Sequence, residues 1–157
     1  YPGTGTAANG LTEVEFSSIP TDVKRITIQI YALSCSGSNT SGCLFQAGTG
    51  GTATTSGYTW LANYGSTVNR NTGGSAIPLV NPNFTDTAHS FYGIATLESL
   101  NNGDRWSVIS NTGSHFNNNP NHQLSAGFDL SGSLDYIRLF PEGTSWDAGY
   151  INILYEG

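Results

Sequence analysis

The chain has 157 residues, 37% of them hydrophobic and only 10% charged, which suits one domain with a sizeable core. Its formal net charge is −6, Lys24 is its only lysine and four arginines are scattered along it, so no basic stripe is present to neutralise phosphates. That balance excludes a nucleic-acid binder, and no run approaches the ~20 apolar residues of a membrane-spanning helix.

Residues 1–10, rich in Gly, Thr and Ala, read as a linker, with a single domain expected over 11–157; a boundary or processing step before Tyr1 would suit that composition. Leu11 to Phe16 alternates as an edge-like strand with Val14 and Phe16 inward, and Ile19-Pro20-Thr21-Asp22 turns the chain. Ile26, Ile28 and Ile30 then alternate with Thr27, Gln29 and Tyr31, a pattern that β-branched residues fit well on a half-buried pleated face. Leu44 to Ala47 is expected to pair with that strand. The intervening Cys35 and Cys43 bracket a loop, and their spacing fits either a disulfide or two reduced thiols. Gly48-Thr49-Gly50-Gly51 lacks the Lys-Ser/Thr ending and following helix of a phosphate cradle, so it reads as a plain turn.

Within Gly57 to Tyr64, Tyr58, Trp60, Ala62 and Tyr64 fall at period two on one side. Residues 68–84, with Pro78 and Pro82, read as a loop. Phe91 to Leu97 and Arg105 to Ser110 form a hairpin through Asn102-Gly103, residues 111–121 a polar loop, and Leu124 to Leu130 another strand. Near the end, Ile137 and Leu139 share one side of a strand, and Ile151, Ile153 and Tyr155 one side of the last. Pro141, Gly143, Asp147 and Gly149 between them predict a reversal that lays the final strand back on the sheet. Tyr150 and Leu154 make that strand apolar on its second face too, which calls for a central position or for contact with another subunit. No stretch carries a helical apolar stripe, so the expected fold is all-β, a two-sheet antiparallel β-sandwich of jelly-roll type.

Catalytic chemistry finds little support. There is no Gly-x-Ser-x-Gly elbow for a serine nucleophile. Asp135, Glu142 and Asp147 are the only acidic cluster, and they read as turn and strand-end carboxylates accepting backbone N–H bonds rather than as a glycosidase pair. His89, His115 and His122 lack the spacing of a metal site, and no cofactor or metal is expected. Binding is the reading left, because a sugar offers apolar faces and hydroxyls that aromatic and amide side chains match. Two candidate ligand patches emerge: Tyr58, Trp60, Asn63 and Tyr64, and a loop containing His115, Phe116 and Asn117. Trp106, which follows a hairpin turn and alternates with Val108, is assigned to the core, whereas Trp60 fits either the core or an exposed platform.

The C-terminal Leu134, Asp135, Ile137, Arg138, Leu139, followed by Asp147, Ala148, Gly149, Ile151, Ile153, Leu154, Tyr155 and Glu156, resembles the terminal signature of bacteriophage tail-fibre and related minor structural proteins. The opening pair, Glu13 to Pro20 and Val23 to Ile28, and the mid-chain Ser56-Gly57-Tyr58 resemble the same modules, although Trp146 stands where they more often have Phe. The resemblance implies a non-catalytic homotrimer in a virion tail fibre that recognises a host cell-surface glycan. The alternatives are a carbohydrate-binding module of a polysaccharide-degrading enzyme and a purely structural decoration of the virion.

Overall fold

A computed structural model describes residues 5–35, 42–64, 67–80, 90–101, 103–114, 121–142 and 145–157. Two antiparallel sheets face each other across one apolar layer. The larger has eight strands: β1 (Thr6–Ala7), β13 (Trp146–Glu156), β3 (Arg25–Cys35), β9 (Phe91–Asn101), β10 (Arg105–Ser114), β11 (His122–Asp129), β6 (Tyr58–Tyr64) and β7 (Thr67–Gly74), in that spatial order. The smaller has five: β2 (Val14–Ser17), β12 (Tyr136–Phe140), β4 (Cys43–Thr49) and β5 (Thr52–Ala53) in a row, with β8 (Ile77–Val80) also paired to β4.

Period-two alternation builds the core. Ile26, Ile28 and Ile30 of β3 meet Ile151 and Ile153 of β13 on one flank and Ala95 and Leu97 of β9 on the other, all buried. From the opposite sheet come Val14, Phe45, Ala47, Ile137 and Leu139. Phe128 of β11 contacts Phe45 of β4 across the layer, with ring centroids 5.8 Å apart. Trp106 is buried, as its alternation with Val108 suggested, and so is Trp146, for which the tail-fibre resemblance implied a structural role.

The expected turns form where glycine permits them. Gly50 and Gly51 take φ +67° and +72° between β4 and β5, and Gly103 takes +93° between β9 and β10. The Asp135 carboxylate accepts the Gly50 and Gly51 N–H groups at 2.8 and 3.0 Å, the backbone role read for it.

Three expectations about pairing are corrected. β4 does not pair with β3; it belongs to the other sheet, between β12 and β5, and its pairing there carries Phe45 and Ala47 inward. β12 and β13 likewise lie in opposite sheets, so the segment between them crosses the sandwich instead of closing a hairpin. Within residues 68–84, expected as a loop, lie most of β7 and all of β8. β7 is an exposed edge strand with little apolar alternation to betray it, and Pro78 is tolerated in β8 beside a bulge in β4. The supposed linker also contributes structure: β1 borders β13, and Ala8 is fully buried.

Cys35 and Cys43 end one strand and begin another in different sheets, and both are buried free thiols, so the disulfide alternative is not realised. Burial pushes the Cys35 thiol up to about 12 and raises Cys43 as well, Asp147 and the neighbouring sulfur adding to the respective shifts.

Paired bulges bend β3 and β13 where Gly149 takes φ +105°. A Cβ on Gly149 would lie 2.5 Å from Leu33 Cα and 2.7 Å from the Ala32 carbonyl oxygen. Gly149→Ala is therefore expected to cost roughly 1–3 kcal/mol, read as a lower urea midpoint with an unchanged slope. A midpoint equal to wild type would show that the bulge relaxes freely.

Candidate functional site

The first candidate patch does not form one surface. Tyr58, Trp60, Ala62 and Tyr64 do share a face of β6, but it is the inward one. Tyr58 is fully buried; its hydroxyl accepts the Ala47 N–H at 2.8 Å and lies 2.9 Å from the Thr54 carbonyl, tying the two sheets together. Burial raises its phenol to about 12. Tyr64 is buried against His122, the rings stacked at 4.6 Å and 15°, and burial lifts its phenol to about 12 as well. Trp60 is half-buried and packs on the core. Asn63 alone of the four points out. His115, Phe116 and Asn117 lie outside the described residues.

What the strand order assembles instead is the outer face of the eight-stranded sheet. One row across it reads Asn152, Gln29, Ile94, Asn111, Gln123, Asn63, Val68. The next reads Leu154, Thr27, Thr96, Ile109, Ser125, Leu61, Arg70. Between them these rows hold a single charged side chain, Arg70. Of their apolar members, Leu61, Val68, Ile94 and Ile109 are open to water, Ile109 at 66% and Ile94 at 50% exposure, and Leu154 is partly covered. A sheet face turned to bulk water ordinarily carries polar side chains, so four exposed aliphatic residues interspersed among amides and hydroxyls make this face unusual.

The two ends of the face differ chemically. Toward β13, Tyr150 and Tyr31 are cross-strand partners, and Tyr31 stands edge-on to Tyr92 at 5.3 Å, giving an exposed aromatic corner. Toward β7 the character is amide, hydroxyl and aliphatic. At the β13 end of the first row Asn152 Nδ2 donates to Gln29 Oε1 at 3.1 Å, while Asn152 Oδ1 is buried with no partner among the described residues. The side chains of Asn111, Gln123 and Asn63, consecutive along the same row, make no hydrogen bond among the described residues. Their donors and acceptors remain available to a ligand.

Two adjoining depressions lie there. One, of about 290 Å³, is lined by Leu61, Asn63, Ile109, Asn111, Gln123 and Ser125 among others. Its neighbour, of about 370 Å³, shares Leu61 and Ser125 and adds, among others, Arg70, Asn71, Gly127 and the expected ligand residue Trp60. Ligand sites commonly span ~300–1,000 Å³, so these depressions stand at the small end of that range.

Among the described residues no group of three or more His, Cys, Asp or Glu side chains is placed to hold a metal ion. Asp135 caps the β4–β5 turn of the smaller sheet, whereas Asp147 accepts a hydrogen bond from Ser34 on the adjacent strand β3 of the larger one. Comparison with protein-family models, curated proteins and solved structures gives no match.

His122, weighed in the sequence only as a metal ligand, lies two positions before Leu124 in the inward alternation of β11, and it is buried. Its Nδ1 is 2.9 Å from the Leu79 carbonyl and therefore carries the proton, while Nε2 is buried with no partner among the described residues.

Proposed function

We propose that this domain is a non-catalytic receptor-recognition module of a bacteriophage tail fibre, working as a homotrimer on the host-contact part of the virion and reading a cell-surface glycan. The observation that carries the reading is the pair of adjacent rows on the outer face of the eight-stranded sheet, charged only at Arg70, where unpaired carboxamides lie beside exposed aliphatic side chains. Amide groups offer a donor and an acceptor side by side, as vicinal hydroxyls require, and the aliphatic ridge suits the apolar face of a pyranose ring. The resemblance of the terminal strands to tail-fibre modules supplies the virion context and the threefold assembly.

The aromatic corner is the subunit contact in this reading. Tyr150, 53% exposed, and Tyr31, 63% exposed, stand on one edge of the sheet, away from the amide-lined depressions. Burying such a ring against a neighbouring copy stabilises the contact by about 1.5–3 kcal/mol, so Tyr150→Glu is expected to weaken association by roughly ten- to a hundredfold. Sedimentation velocity checks this: wild type as a trimer, the variant shifted toward monomer. A wild-type monomer throughout a micromolar dilution series would overturn the assembly. Glycan recognition is tested separately, by binding of the purified protein to an array of bacterial surface oligosaccharides.

A further inference from the structure

We propose that the β7 end of the outer face selects an acidic glycan, with Arg70 contacting a carboxylate or phosphate borne by the saccharide; this rests on the glycan reading above and deepens it. Among the described residues the other three arginines are engaged. Arg25 lies 3.7 Å from Glu98, Arg105 binds Asp129 at 2.8 Å, and Arg138 pairs with Glu13. Arg70 has no carboxylate partner and no hydrogen bond of its side chain among the described residues, although acidic groups outnumber basic ones about two to one. Its register neighbour is Leu61, the residue that also forms the ridge between the two depressions.

The placement gives the site a polarity. A sugar ring lying over Leu61 has Asn63 and Gln123 on one side for its hydroxyls and Arg70 on the other, where a planar guanidinium can grip an anionic oxygen pair. The net charge of −6 opposes anions at long range, so selectivity for an acidic ligand must come from this local contact and weaken as salt is added. The competing role for Arg70 is to guard an exposed edge strand against pairing with another chain. Edge guarding makes no prediction about ligand charge.

The experiment is a glycan array holding neutral, carboxylate-bearing and phosphate-bearing oligosaccharides, probed with wild type, Arg70→Gln and Arg70→Lys. Acidic glycans are expected as the bound set. Arg70→Gln should reduce their binding about tenfold, and Arg70→Lys should retain part of it, as charge survives without the bidentate fork. Which acidic arm responds tells carboxylate from phosphate. The thermal midpoint of Arg70→Gln should match wild type, since the side chain has no partner to lose. Binding of neutral glycans only, or acidic binding unaffected by Arg70→Gln, overturns the inference and leaves glycan recognition standing. No binding by wild type anywhere on the array overturns both.

Discussion

Trp106→Ala is expected to remove most of the stability of the domain. The indole is 1% exposed on the inward face of β10, opposite Phe128 in register, and its Nε1 donates to the Gly103 carbonyl at 2.8 Å. Large-to-small changes of a buried Trp or Phe cost about 3–5 kcal/mol, against a total of ~5–15 kcal/mol for a typical domain. Urea unfolding followed by far-UV circular dichroism should place the variant at or beyond the edge of folding. Trp106→Phe keeps most of the volume and loses the indole hydrogen bond, while the Gly103 carbonyl keeps the Leu134 N–H at 3.1 Å, so it should cost only ~0.5–1.5 kcal/mol for that bond. Equal losses in the two variants would show that the hydrogen bond dominates, contrary to the packing argument.

The contrast with Trp60 shows what local pattern can and cannot reveal. Both tryptophans alternate with apolar neighbours, and both point inward. Trp106 sits in a strand between β9 and β11, closed on both sides, whereas Trp60 lies one strand from the sheet edge and is only half covered. Period two identified the shared face of Tyr58, Trp60, Ala62 and Tyr64 but not its direction, because an aromatic row suits a core and a sugar platform equally well. Strand neighbours fix the direction, and they are long-range. The same limit hid the outer face. Asn63, Gln123 and Asn111 are far apart in sequence and become a row only once β6, β11 and β10 lie side by side.

Strand existence was legible wherever β-branched alternation was strong, as in Ile26 to Ile30 and in the terminal strands. Partner choice was not, since β4 and β12 alternate as well as β3 and β13 but belong to the opposite sheet. The polar strand β7 carries almost no hydrophobic signal, because an exposed edge needs none to satisfy its backbone against β6. Its failure to read as a strand concealed Arg70, and with it the one charge on the two rows of the outer face.

Acid should destabilise the domain through His122. Burial lowers its imidazole from the ordinary 6.5 to about 4, partly opposed by the hydrogen bond to the Leu79 carbonyl. Structure explains the direction: with Nδ1–H already committed to Leu79, a second proton would create a charged N–H at the buried, unpartnered Nε2. The folded protein therefore resists protonation that the unfolded chain accepts. Because the folded value is the depressed one, the stabilising contribution is complete above pH 6.5 and drains away as pH falls toward 4. Integrated over that window the loss approaches about 3 kcal/mol. Carboxylates titrate in the lower part of the same range, so the decisive comparison is with His122→Phe, which keeps a flat ring against Tyr64 and leaves Thr112 Oγ1, 3.0 Å away, to donate to the Leu79 carbonyl. Urea midpoints measured from pH 7.5 to 4 should fall more steeply for wild type than for the variant, with the gap opening below pH 6.5. Parallel curves would mean that Nε2 gains a proton acceptor in the folded state, and the buried imidazole would then have no part in acid sensitivity.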